Sequence, residues 1–172
     1  MYLVFLDIDG VFTSNRVHYS RKQHYNIWAR FDPIAVDFMN KIYTKYPIKF
    51  VLMTSWKNFM PHDNGTLDSN IAHWVQSTFS NAGFVGEFAS PMRTNPEDDT
   101  SLARLDRAHQ VIHYLDNYGT GVKDYILFDD TEYAFNRFLG KNRFIKTDAE
   151  NGLLFKHMKN AMSIIGEWDE RS

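Results

Sequence analysis

The chain contains no cysteine. Disulfides, thiol nucleophiles, cysteine-ligated zinc and iron–sulfur clusters are therefore excluded. It also lacks an excess of charge of either sign. The formal net charge is −2 over 172 residues, so no global basic field holds nucleic acid non-specifically, while a local basic patch is compatible with that total. No apolar run reaches the roughly 20 residues that span a bilayer. The N-terminus opens directly on a short apolar segment, with no basic leader region and no cleavage site. The expectation is a soluble, cytoplasmic protein. There is no repeat, low-complexity tract or linker, so one domain over residues 1–172 is expected, in keeping with single domains of roughly 100–200 residues. Hydrophobic residues make up 44% and charged residues 23%, an ordinary globular balance. Aromatics reach 16%, which favours a well-filled core or a stacking surface.

Apolar runs and their spacing place the elements. Tyr2–Leu6, Ile48–Met53 and Asp124–Phe128 read as buried strands, with weaker candidates at Phe84–Phe88 and Arg143–Lys146. Pro33 to Tyr46 carries apolar residues at helical spacing, with Asp32 as N-cap, Pro33 at the first helical position and Pro47 as the stop. Leu67–Phe79, Ser101–Tyr118 (closed by Gly119), Glu132–Phe138 and Gly152–Ile165 read as further helices. Strands alternating with helices imply a mostly parallel sheet covered on both faces, a three-layer α/β sandwich. Ligands of such sheets gather beyond the carboxyl ends of the strands. The three strongest strands are followed there by Asp7-Ile8-Asp9-Gly10, by Thr54-Ser55 and by Asp129-Asp130.

Four carboxylates and two hydroxyls thus converge on one edge. If the chain stays extended at Asp7 and Asp9, their side chains share a face and Ile8 points back into the protein. Gly10 permits a sharp turn or a close approach to a ligand. Carboxylates crowded into one crevice stay ionised only beside a cation, and hard oxygen donors suit Mg²⁺. Mg²⁺ with carboxylates is the equipment of phosphoryl transfer. One carboxylate can attack phosphorus and form an aspartyl-phosphate, while another protonates the leaving oxygen and later deprotonates water. A Ser or Thr hydroxyl can hold a phosphate oxygen, and a Lys or Arg is needed to balance phosphoryl charge. Taken singly, each piece has an ordinary use. Asp-x-Asp-Gly is a common turn, Thr-Ser a helix cap, and Asp129-Asp130-Thr131 an acidic helix start. Their order, each after a buried strand, carries the argument.

These motifs resemble the haloacid dehalogenase-like (HAD) superfamily of phosphohydrolases. Leu6-Asp7-Ile8-Asp9-Gly10-Val11 is similar to its first motif, Val51-Leu52-Met53-Thr54 to its second, and Ile126-Leu127-Phe128-Asp129-Asp130 to the double-aspartate form of its fourth. The resemblance extends to the HAD domain of Swiss Army knife RNA-repair proteins. Phe31-Asp32-Pro33 with Ala35-Val36, Val51 through Trp56-Lys57, Arg107 with Val111, Tyr114 and Leu115, and Thr147-Asp148 with Gly152-Leu153 all resemble segments of that domain. It implies a Rossmann-like HAD fold with a small flap over about 11–31 and no large cap domain. It further implies Asp7 as nucleophile and Asp9 as general acid/base, with the Asp9 backbone carbonyl a Mg²⁺ ligand. Thr54 would bind phosphate, with Ser55 as the alternative, and Gly10 and Lys57 would join the substrate contacts. Asp7, Asp129 and Asp130 would ligate Mg²⁺. Arg107 would fill the third-motif role, with Arg104 and Arg93 as alternatives. The expected activity is that of a Mg²⁺-dependent phosphomonoesterase, acting on a nucleotide, another phosphorylated small molecule or a phosphate-terminated nucleic-acid end. A catalytically silent binding module and a metal-dependent nuclease are the alternatives. No membrane and no obligate protein partner is implied.

Other features have plainer readings. His109 and His113 share a helix face but lack a third ligand for zinc. Gly119-Thr120-Gly121 follows a helix, so it reads as a stop and turn, and Asn64-Gly65 as a tight turn. The flap stretch carries Phe12, Arg16, His18, Tyr19, Arg21, Lys22, His24, Tyr25, Trp28 and Arg30. These either stack a base and hold a phosphate backbone, or pin the flap to the domain. Arg137, Lys141, Arg143 and Lys146 read as a solvated basic face.

Overall fold

The computed structural model describes residues 1–20, 31–54, 76–94, 106–140 and 142–170. Strand β1 (Tyr2–Leu6) is buried along its whole length, as an unbroken apolar run requires. It pairs in parallel with β2 (Ile48–Leu52) on one side, from Tyr2↔Ile48 to Leu6↔Leu52. On the other side it pairs with β4 (Asp124–Asp129), from Tyr2↔Asp124 to Leu6↔Phe128. The outer strands are β3 (Phe88–Arg93) and β5 (Phe144–Lys146), in the order β3-β2-β1-β4-β5. All pairings are parallel.

Alternation along β1 divides the core. Val4 and Leu6 join one cluster, with Phe38, Met39 and Ile42 of α2 (Pro33–Lys45) and Ala161 and Ile165 of the last helix. Leu3 and Phe5 face the other, with Val111 and Tyr114 of α3 (Arg107–Tyr118) and Phe135 of the one-turn α4 (Phe135–Phe138). Helices therefore cover both faces, the Rossmann-like sandwich expected.

Several boundaries move. Phe84–Phe88 is not a strand; β3 begins at Phe88. Residues 84–87 form a loop in which Gly86 lies against the Phe50 ring, where a Cβ would come within 2.3 Å of it. Asn40 ties that loop down through Gly83 O and Val85 N. An edge strand tolerates Pro91, which interrupts the apolar pattern. The helix expected from Ser101 starts at Arg107, because Asp106 is extended (φ −64°, ψ 161°) and caps it by accepting from His109 N. The helix expected from Glu132 starts at Phe135, since Tyr133 and Ala134 have φ of 38° and 56°. The last helix, α5, is Phe155–Glu170 rather than Gly152–Ile165; Gly152 sits in a preceding turn at φ +66°, close against Ser14. Helix α2 starts and stops as expected, with Asp32 accepting from Ile34 N at 2.9 Å. Leu67–Phe79 lies mostly outside the described residues; 76–81 are helical. Asn64-Gly65, Lys141 and the flap residues Arg21, Lys22, His24, Tyr25, Trp28 and Arg30 also lie outside them.

The described start of the flap is pinned down. It contains a short helix, α1 (Asn15–Ser20), that periodicity does not announce. Phe12 is fully buried against Phe31, Phe79 and Phe84. Arg16 reaches Asp32 at 2.5 Å and also donates to Asn151 O. Tyr19 is 61% exposed, so of these aromatics Phe12 packs and Tyr19 faces solvent. The basic stretch is partly paired: Arg143 contacts Asp124 and covers the Tyr125 ring, and Lys146 approaches Glu132. No described helix is long and apolar enough to cross a membrane.

Because Phe12 is fully buried against Phe31, Phe79 and Phe84, Phe12→Ala should cost about 3–5 kcal/mol of stability. Urea denaturation measures it; a loss below about 1 kcal/mol would mean the ring is not anchored in the core.

Candidate active site

The site begins where β1 runs out. Asp7 N donates to Phe128 O at 2.9 Å, which carries the strand pairing one residue past Leu6 and sets Asp7 beside the end of β4. Asp129, the last residue of β4, is fully buried and Asp7 nearly so. Asp130 follows at once, and carboxylate oxygens of Asp7, Asp129 and Asp130 all lie within 4.8 Å of one another. Met53 N donates to Leu6 O, so Thr54 emerges at the same edge, two residues past β2. Ser55 and Lys57 lie outside the described residues.

After Asp7 the chain turns tightly. The N–H groups of Val11, Phe12 and Thr13 all point at Ile8 O. Ile8 is fully buried, as expected, but Asp7 and Asp9 do not share an environment: Asp7 is buried and Asp9 exposed. Asp9 Oδ1 accepts from Thr13 Oγ1 at 3.0 Å. Gly10 has φ +68°, and a Cβ there would lie 2.4 Å from Asp130 Cβ. Only glycine lets the first and fourth motifs close this tightly.

Arg107 opens α3 directly over the carboxylates. Its Nη1 donates to Asp7 Oδ2 at 2.7 Å and to Asp129 Oδ2 at 2.6 Å. The remaining carboxylate oxygens are also engaged: Ile8 N donates to Asp7 Oδ1 at 2.8 Å and Thr131 N to Asp129 Oδ1 at 2.8 Å. Of the arginines considered, Arg107 contacts Asp7 and Asp129. Arg93 is buried at the end of β3, and Arg104 lies outside the described residues. Thr147, beside the site, donates its N–H to Asp129 O at 2.9 Å.

Burial dominates the electrostatics. It pushes the Asp7 carboxyl above the ordinary carboxylate range, against the opposing pull of Arg107. Asp129 is pushed up to about 7 by burial and by the neighbouring Asp7 charge, with Arg107 and the Thr131 N–H working the other way. Burial also works against the Arg107 charge, yet Asp7 and Asp129 together hold it more firmly protonated than usual. Arg107 bridges Asp7 and Asp129, and Asp130 brings a third carboxylate to the same place, an acidic grouping whose charge a divalent cation would offset. An all-carboxylate donor set fits a hard ion such as Mg²⁺. Among the described residues this is the cluster of potential metal ligands; His109 instead pairs with Asp106, and His113 neighbours Asn117.

A family model for the HAD domain in Swiss Army Knife RNA repair proteins matches residues 3–158. The chain belongs to this family. No curated protein and no solved structure matches it. The matched span of the HAD domain takes in the described strands, all but Tyr2 of β1, and the carboxylates Asp7, Asp129 and Asp130. At the level of the family the chain is a HAD-type phosphohydrolase domain associated with nucleic-acid repair.

One contact at the site has no sequence signal. The Tyr133 ring lies under the Arg107 guanidinium, 4.9 Å from Cζ to the ring centroid. Neither spacing nor local pattern relates a tyrosine in the turn after β4 to an arginine that opens α3.

Two outcomes follow from this geometry. Gly10→Ala should weaken Mg²⁺ binding at least tenfold by titration calorimetry and lower the melting temperature, since it forces Asp130 aside and strains φ. The second concerns pH. The folded-state pKa of Asp129 stands above its ordinary 3.8, so the stability it contributes is fully present below about pH 4 and is lost as pH rises through about 7. In chelator, thermal melts should therefore show stability falling between pH 5 and 7.5, and Asp129→Asn should flatten that slope. An unchanged slope in the variant would assign the titration elsewhere.

Proposed function

We propose that this HAD domain is a Mg²⁺-dependent phosphomonoesterase that works through an aspartyl-phosphate on Asp7. The reading rests chiefly on one observation: the buried Asp7 carboxylate is fixed by Ile8 N and Arg107 beside Asp129. A carboxylate held at both oxygens presents its remaining lone pairs in a constant direction, which favours in-line attack on phosphorus. In the first step an Asp7 oxygen bonds to phosphorus and the ester P–O bond breaks. Asp9 delivers its proton to the departing alkoxide. In the second step Asp9 takes a proton from water, the resulting hydroxide attacks the acyl-phosphate phosphorus, and inorganic phosphate leaves with Asp7 restored. The exposure of Asp9, with Thr13 steadying one oxygen, suits a group that exchanges protons with both leaving group and water.

Asp7, Asp129 and Asp130, with the Asp9 backbone carbonyl, would hold Mg²⁺, which when bound neutralises charge on the phosphoryl oxygens. Thr54, or Ser55, would donate to a phosphoryl oxygen, and Gly10 and Lys57 would complete the substrate contacts. The substrate class, a nucleotide or a phosphate-terminated nucleic-acid end, is supported by the repair association of the family. An expected placement in the cytoplasm suits such substrates.

The test is phosphate release with and without Mg²⁺ from nucleoside monophosphates and from oligonucleotides bearing 5′- or 3′-phosphate. Mg²⁺-dependent release is expected, with Asp7→Asn at least a thousandfold slower while its melting curve stays cooperative. Release of oligonucleotide fragments in place of phosphate would indicate a nuclease. Binding of oligonucleotides without turnover would indicate a recognition module.

A further inference from the structure

Arg107 is gripped from two directions. Its Nη1 is fixed by Asp7 and Asp129, and its Cζ lies over the Tyr133 ring, 4.9 Å from the centroid. The carboxylates alone constrain one nitrogen of a long side chain, which leaves the guanidinium free to rock about that point. A ring against the face removes this freedom, because cation–π attraction and flat contact both favour one plane.

The backbone holds Tyr133 in place at a cost. Tyr133 and Ala134 are consecutive non-glycine residues at positive φ, 38° and 56°, a conformation that L-residues adopt only when their surroundings impose it. The imposing element is visible. Phe135 is fully buried, packs against Phe144 at 4.9 Å, and meets the Tyr133 ring edge-on at 5.9 Å. Phe135 N also donates to Glu132 O at 2.9 Å, closing the turn around Tyr133. The chain leaving Asp129-Asp130 is therefore bent back, and its consequence is a ring over Arg107. The strained turn thus lies beside the carboxylate edge, and its outcome is the contact of Tyr133 with Arg107.

We propose that Tyr133 is a positioning residue: it fixes the plane of the Arg107 guanidinium and, through it, the orientation of the Asp7 and Asp129 carboxylates. Its effect on turnover rests on the reading of Asp7 as nucleophile; the restraint on Arg107 does not. The informative variant is Tyr133→Asn. Asparagine accepts positive φ readily, so this change relaxes the turn while removing the ring. Tyr133→Phe keeps the ring and loses only the hydroxyl.

The primary measurement is nitrogen-15 NMR of the Arg107 guanidinium, which reads rotation about its Cζ–Nε and Cζ–Nη bonds. Wild type and Tyr133→Phe should show slow rotation with resolved Nη signals. Tyr133→Asn should show those signals merging, with melting temperature equal to or above wild type. In the phosphate-release assay, Tyr133→Asn should lower kcat about tenfold with KM little changed, and Tyr133→Phe should restore it. A role in folding alone would lower stability and leave the split between the two variants absent. Slow Arg107 rotation in folded Tyr133→Asn, or kcat equal to wild type, overturns the proposal. If wild type releases no phosphate from any substrate while the NMR contrast holds, the phosphatase reading fails and the restraint on Arg107 stands.

Discussion

Two buried carboxylates of like charge, Asp7 and Asp129, share the carboxyl edge of the sheet, and a single guanidinium lies between them. Neither acid is placed there by local preference. Each is the residue that follows a fully apolar strand core, and the parallel pairing of β1 with β4 brings the two ends level. Repulsion and desolvation would drive protons onto both acids or pull the edge open. Arg107 opposes this from the first turn of α3, which Asp106 caps. Tyr133, Phe135 and the strained turn after β4 then hold Arg107. The positions of several loops thus follow from the need to keep one charged pocket balanced.

Close approach is the second constraint. Gly10 admits Asp130 to within the space a methyl group would fill, and Gly152 does the same for Ser14 at the base of the flap. The first contact joins the first and fourth motifs. The second joins the start of the flap to the turn before α5, where Asn15 N and Arg16 N also donate to Ala149 O and Glu150 O. Arg16 binds both Asn151 O and Asp32, the cap of α2. The segment that follows Asp7 is therefore tied both to the cap of α2 and to the turn before α5. Phe12 adds the apolar part of that anchor.

Several features that look like candidates in sequence prove ordinary when their neighbours are known. The His109 and His113 pair engages Asp106 and Asn117, and part of the basic run near β5 is matched by acids from distant positions. The partners come from the same helix or its cap, from another strand, or from the loop after β4, and a single side chain cannot announce which.

Much of the design can be read from residue order. The largely apolar runs at Tyr2–Leu6, Ile48–Met53 and Asp124–Phe128 dictate buried parallel strands, because burial on both faces removes polar alternation. Asp32-Pro33 dictates where α2 begins, through local capping. The acids after the strands dictate a charged, cation-seeking edge. These signals are local, so the sequence by itself determines the α/β class, the strands that carry the site and the identity of its acids. Strand β3 escaped because edge strands obey weaker patterns, and the start of α4 because positive φ at Tyr133 and Ala134 is imposed by the buried Phe135. Tertiary structure alone decided that Asp7 is buried while Asp9 is exposed, that Arg107 bridges Asp7 to Asp129, and that Tyr133 covers Arg107. Each depends on distances between chain segments far apart in sequence. Those distances are fixed by sheet register and side-chain packing, which no run of neighbouring residues encodes.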